Sequence, residues 1–171
     1  MTGDGTDKIF HRLLEIVSHS GLPHVIHEHQ ATRTIEDAAR NLSFDVDRIV
    51  KTIAFRTRDG RVVLAALRGT RRVDYARLAP LVGVNRRDLA ALSPEEVLEL
   101  LGVEPGSVSP LMPLEGSELL IDEDVLAVIP TLYCGFGRPE RTLEIAAADL
   151  VRLTGGRVGA FSRKTERHHE P

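Results

Sequence analysis

The sequence predicts a single α+β domain whose mixed, barrel-like curled sheet is surrounded by helices. Three observations predict this class. Strand-like and helix-like segments mix without regular βα alternation. A β-hairpin stands out between Ile49 and Leu67. No internal repeat or linker divides the 171 residues, a length that suits one domain. Hydrophobic residues make up 42% of the chain, enough for a core, and with no Trp present that core must be filled by Leu, Val, Ile and Ala.

The elements follow in order. Phe10, Leu13, Leu14, Ile16 and Val17 recur at helical spacing and predict a helix over 7–20, stopped by Gly21-Leu22-Pro23. His24 to His29 reads as a short strand. Thr34 is a suitable N-cap for a helix carrying Ala38, Ala39 and Leu42. The hairpin has strands over 49–57 and 61–67, with Arg58-Asp59-Gly60 in its turn. Asp74 can cap a short helix through Leu78. Ser93-Pro94-Glu95-Glu96 combines an N-cap, a proline at the first helical position and a capping-box glutamate, and that helix ends at Gly102. A Gly/Pro-rich loop runs from Gly102 to Pro113. Strands are predicted at 119–121, 127–129, 131–134 and 142–145, with a turn over 135–139. A helix over 146–153 and a last strand over 157–161 complete a domain spanning 1–162. The polar tail over 163–171 is expected to fray.

Composition excludes several function classes. No apolar run approaches the roughly 20 residues that span a bilayer, and the N-terminus lacks the basic-then-apolar pattern of a secretory signal. The single cysteine, Cys134, cannot form an internal disulfide, which fits a reducing, cytoplasmic setting. Net charge is −3, yet Arg61, Arg68, Arg71, Arg72, Arg77, Arg86 and Arg87 form a locally basic stretch opposed in sequence only by Asp74. Such a run is either a solvated face or a zone of phosphate contacts, with Arg68, Arg71 and Arg72 the candidates for nucleic-acid binding. His24, His27 and His29 invite a metal reading, but no Cys, Asp or Glu constellation with metal spacing accompanies them. His168 and His169 read as solvated tail residues. Cys134 reads as a buried core thiol rather than a nucleophile.

Several short motifs converge. Ile49-Val50-Lys51-Thr52-Ile53 places a lysine inside an apolar strand. Val63 to Gly69 forms its partner. Gly106-Ser107-Val108-Ser109-Pro110 is a Gly-x-x-x-Pro loop. Ile121-Asp122, Gly135-Phe136-Gly137-Arg138, Glu144-Ile145 and Asp149-Leu150 follow in order. In this order and spacing the set resembles the YbaK/EbsC family, related to the editing domain inserted in bacterial prolyl-tRNA synthetases, over roughly residues 13–158.

The resemblance implies hydrolysis of tRNA mischarged with a small amino acid, without metal or diffusible cofactor. It implies aminoacylated tRNA as partner, with prolyl-tRNA synthetase a candidate partner, and neither DNA nor membrane. Cysteine or alanine on tRNA-Pro is the expected cargo; the alternative is a non-catalytic module that binds a tRNA end or a nucleotide. The implied catalytic set is Lys51, Gly106, Ser107 and Val108. Lys51 would anchor the 3′-terminal phosphate or ribose, and backbone amides of the loop would hold the developing oxyanion. The implied substrate-binding set is His27, Thr34, Lys51, Ser109, Pro110, Gly135, Gly137, Arg138 and Thr142. Two positions depart from relatives: no histidine stands near the glycine turn, and Thr142 replaces an aspartate typical of cysteinyl-tRNA deacylases. The loop over 106–110 and the turn over 135–137 are expected to face each other across a small pocket with Lys51 at its mouth.

Overall fold

In a computed structural model of the chain, the described residues are 3–34, 36–37, 40 and 43–165. The fold is mixed α+β. Helix α1 (Gly3–Ser20) leads into β1 (His24–Glu28). The hairpin strands are β2 (Ile49–Thr57) and β3 (Val62–Arg68), followed by β4 (Arg71–Val73) and α2 (Tyr75–Leu81). Next come β5 (Leu89–Ala91), α3 (Pro94–Leu101), β6 (Glu118–Asp122), β7 (Leu132–Gly135) and β8 (Arg141–Ile145). The chain continues with α4 (Ala147–Thr154), β9 (Arg157–Gly159) and β10 (Ser162–Lys164).

Eight strands form one sheet in the order β1-β8-β7-β2-β3-β6-β9, with β5 also on β2. The β2–β3 hairpin is antiparallel, whereas β2–β7, β3–β6 and β6–β9 are parallel, which makes the sheet mixed. Because side chains alternate along a strand, β2 sends its residues to two different cores. Val50 joins Leu13, Val17, Cys134, Leu143 and Leu150 under α1 and α4. Ala54 joins Val97, Leu101 and Val108 beside α3. On the opposite face, Ile53 and Phe55 pack with Leu67, Leu78 and Phe161 around α2, while Ile49 packs with Tyr133 and Phe44. Lys51 therefore stands between two apolar clusters on one face.

The local signals act as the sequence suggests. Ser93 and Glu96 complete a reciprocal capping box, and Gly102 ends the helix in the left-handed region at φ 70°. Asp74 accepts from the Ala76 amide at the start of α2. The Asp37 amide donates to Thr34 Oγ1 at 3.0 Å, as an N-cap requires; Ala38, Ala39 and Leu42 lie outside the described residues. So do His168 and His169.

Three expectations need correction. The strand expected over 127–129 is absent. Asp122 instead caps a 3-10 turn over Glu123–Ala127, and Pro130, which cannot donate to a ladder, follows an Ile129 left 78% exposed. The fraying expected over 163–171 does not hold for Arg163 and Lys164, since β10 pairs antiparallel with β4 in a two-stranded ribbon; residues 166–171 lie outside the described residues. The strand expected over 157–161 stops at Gly159 as β9, and β10 begins at Ser162 after Ala160 and buried Phe161.

Asp122 fastens that ribbon to the sheet. Its carboxylate is buried and accepts from the Phe161 amide at 2.9 Å, the Ser162 amide at 3.0 Å and Ser162 Oγ at 2.6 Å. Removing the acceptor leaves buried donors unsatisfied. Asp122→Ala is expected to lower the unfolding free energy on the order of 3 kcal/mol, read as a shifted denaturant midpoint with an unchanged slope. A loss below about 0.5 kcal/mol, within the range of ordinary surface substitutions, would show that the ribbon is held elsewhere.

Candidate active site

A cavity of about 270 Å³ opens on the sheet face that carries Lys51. Its floor comes from β2 (Ile49 to Ile53), the end of β7 (Tyr133 to Gly135) and Thr142 of β8. Thr32, Arg33, Thr34 and Phe44 cover it, Gly106 and Val108 close one side, and Arg138 and Arg141 complete the rim.

Backbone contacts set the walls. Gly106 adopts φ +86°, and a Cβ there would lie 2.5 Å from the Arg33 carbonyl oxygen. A Cβ on Gly135 would lie 2.5 Å from the Val108 carbonyl oxygen. The Gly137 amide donates to the Ser107 carbonyl at 3.0 Å. The loop and the glycine turn are thus bonded together as one wall rather than facing each other across the opening.

Lys51 Nζ donates to the Gly69 carbonyl at 3.2 Å. Burial, reinforced by the nearby Arg72 guanidinium, holds its ammonium below the usual lysine range. Among the described residues the amides of Gly106 and Val108 donate to no protein group, whereas the Ser107 amide is used on Glu104 at 3.0 Å. Two buried hydroxyls, Thr52 Oγ1 and Ser107 Oγ, lack partners among the described residues, and Thr52 belongs to the cavity lining.

The cavity thus brings together Lys51, Gly106, Val108, Thr34, Gly135, Arg138 and Thr142. Other expected residues lie outside it. Ser107 and Ser109 are buried behind the wall, Pro110 faces a groove beside Met112 and Leu114, and Gly137 packs on Leu13 of α1. His27 is also outside the lining. Its Nε2 pairs with Glu144 Oε1 at 2.8 Å, and its ring sits edge-on to Phe44 and Tyr133. Cys134 is buried on the core side, and desolvation pushes its thiol up to about 12.

Arg68 and Arg71 are engaged within the protein. Both Nε atoms reach Asp124 Oδ2, at 3.2 and 3.6 Å, and Arg71 also donates to Ser162 Oγ at 2.6 Å. Arg72 is exposed.

Sequence reasoning missed the aromatic part of the site. Phe44 and Tyr133 stack at 3.9 Å with planes 4° apart, and Arg48 lies over the other Tyr133 face at 4.7 Å. Glu144 braces this stack by accepting from Thr131 Oγ1 at 2.6 Å and bonding His27, and these contacts hold its carboxyl below the usual range. The signal available was an isolated Phe44 and Tyr133 in a chain with only 4% aromatics. It missed Arg141 as well, which lines the rim with its guanidinium 5.7 Å from the Phe10 ring.

Comparison with known proteins decides the family. The aminoacyl-tRNA editing domain profile matches residues 29–153, a range that contains every residue lining the cavity. The chain belongs to the aminoacyl-tRNA editing domain family. This editing domain is 34% identical over 96 residues to a proline–tRNA ligase of Xanthomonas campestris, a match covering 56% of the chain but only 16% of the ligase. It is 27% identical over 128 residues to the Bacillus subtilis protein YwhH, covering 75% of the chain and 79% of YwhH. Among solved structures it resembles hypothetical protein APE2540, with TM-score 0.80 and 28% identity over 89% of the chain and 99% of the other. It also resembles a protein described as a candidate trans-editing enzyme for prolyl tRNA synthetase, with TM-score 0.73 and 29% identity over 90% and 96%. No helix among the described residues is long and apolar enough to cross a membrane. No group of three or more metal-type side chains gathers among them.

The Gly135 contact gives a direct prediction. Gly135→Ala forces a methyl group against a backbone carbonyl that cannot rotate away, and overpacking of this kind costs about 1–3 kcal/mol. Thermal unfolding should therefore occur at a lower temperature. An unchanged midpoint would mean that the two backbones can separate freely.

Proposed function

We propose that the chain is an aminoacyl-tRNA deacylase that hydrolyses the ester between a small amino acid and the 3′ ribose of tRNA. The observation that carries this reading is that Lys51 lines one cavity of about 270 Å³ together with Gly106 and Val108, whose amides have no acceptor among the described residues. An ester carbonyl seated against the Gly106–Val108 backbone gains hydrogen bonds as its oxygen becomes negative, which lowers the barrier to attack. Lys51 fixes the phosphate or ribose end and so supplies orientation. The attacking group is water or a nucleophilic side chain of the substrate itself. Cys134 is a poor candidate, because its thiol is buried and stays protonated far above neutral pH.

Thr142 sits on the floor with its hydroxyl bonded to His29 Nε2 at 2.7 Å, so this end of the cavity is polar. Alanine and cysteine fit such a space, and the relatedness to proline–tRNA ligases favours tRNA-Pro as carrier. The test is a multiple-turnover panel over alanyl-, cysteinyl-, seryl-, threonyl- and phenylalanyl-tRNA. Small esters should turn over and the phenylalanyl ester should not. Stoichiometric protection of every ester, with no turnover, would replace the enzyme by a binding module.

Lys51→Ala should reduce kcat/KM by roughly 100-fold, the scale of losing one charge-stabilising group. Its folded pKa lies below the ordinary value of 10.5, so the charge of ionised Lys51 does not stabilise the fold at neutral pH. Because the anchor is the ammonium, binding of the tRNA end should weaken as pH rises through a value below 10.5. Turnover by Lys51→Ala within twofold of wild type would remove the residue from the mechanism.

A further inference from the structure

The β4–β10 ribbon has a charge arrangement that its own packing does not account for. Its register places Arg72 opposite Arg163 and Arg71 opposite Lys164. Val73 and Ser162, also directly opposed, are both buried, so that face turns inward and carries Arg71 to Asp124 and Ser162. By alternation Arg72 and Arg163 share the outward face, and both are exposed. Directly opposed like charges destabilise a strand pair. Within 61–77 every other arginine has an acidic partner: Arg61 has Asp59, Arg68 and Arg71 share Asp124, and Arg77 has Asp74. Arg72 and Arg163 have none among the described residues.

The ribbon is rooted at the cavity. Gly69, whose carbonyl accepts from Lys51 Nζ, is separated from β4 by Thr70 alone, and its amide donates to the Ile49 carbonyl at 2.8 Å. Arg72 is also near enough to Lys51 for its charge to act on the ammonium, so the ribbon adjoins the Lys51 side of the cavity.

We infer that the paired guanidiniums of Arg72 and Arg163 form a docking face for the phosphate backbone of the tRNA acceptor stem, outside the ester-binding cavity. This rests on the deacylase reading and extends it. Strand pairing sets the two residues directly opposite each other, so their guanidiniums can offer forked donors to neighbouring phosphates, and the contact reads charge and position rather than base identity.

The test separates the ribbon from the cavity. Uncharged tRNA binding is measured for wild type, Arg163→Gln and Arg72→Gln/Arg163→Gln across a salt series. Each lost contact should reduce the salt slope by about one, and the double variant should bind roughly tenfold more weakly at 0.1 M salt. Arg163→Lys should retain most of the binding, because a point charge still meets a phosphate. Arg163→Gln should hydrolyse a small-amino-acid ester of adenosine at the wild-type rate, while its KM for mischarged tRNA rises. Its melting temperature should be equal to or above wild type, since the like-charge opposition is relieved. Unchanged tRNA affinity and salt slope in the double variant would overturn the inference. So would an equal activity loss on the adenosine ester and on tRNA, which would mark the arginine as structural. If wild type hydrolyses neither ester, the deacylase reading fails, and the binding series still decides the ribbon.

Discussion

The site depends on a close approach of three backbone segments. The Gly106–Val108 loop touches the Arg33 carbonyl on one side and the Gly135 backbone on the other, at separations that leave no room for a Cβ. The Gly137–Ser107 hydrogen bond locks the loop to the turn. Protein interiors are packed tightly enough that such contacts fix neighbouring positions to fractions of an ångström. Through them the covering segment around Arg33, the loop and the end of β7 become one wall, and the amides of Gly106 and Val108 acquire a defined direction. Lys51 reaches the same space from a strand bonded on both edges, to β3 on one side and to β5 and β7 on the other. Its ammonium starts from a rigid base, while Gly69 holds its tip.

What was legible in the sequence was what local chemistry determines. The 49–67 hairpin, the Ser93 capping box and the Gly102 stop each depend on residues a few positions apart, and each is present as read. Lys51 was legible because a charge inside an apolar strand needs a reason. The Gly-x-x-x-Pro loop pointed to a segment that borders the cavity, but which of its groups face that cavity was hidden. The Ser107 amide is used on Glu104, and Ser109 and Pro110 turn away from the cavity, facts set by how the loop is seated rather than by its letters.

The remainder is non-local. Asp124, which neutralises Arg68 and Arg71, lies more than fifty positions from them, so an arginine run that looked unopposed is largely paired. The β4 strand is three residues long and rich in arginine, and it becomes a strand only because the C-terminal residues pair with it. The Phe44–Tyr133 stack joins segments almost ninety residues apart. His27 seemed a natural pocket residue from its strand, and its strand face is indeed the cavity's face, yet Glu144 and the aromatic pair claim its ring.

A wall made of backbone has a consequence for how such a protein can diverge. Carbonyls and amides are the same whatever residue carries them, so substitution cannot enlarge the cavity at Gly106 or Gly135, and any added side chain there only obstructs it. Variation in what the cavity admits is therefore confined to the few lining side chains that can change without breaking the wall, with Thr142, Ile53, Thr34 and Phe44 foremost among them. Two descendants of one ancestor could keep the same wall while differing in what the cavity admits through one or two such positions. Kinship in this fold is thus a better guide to the backbone framework of the cavity than to the group that fills it.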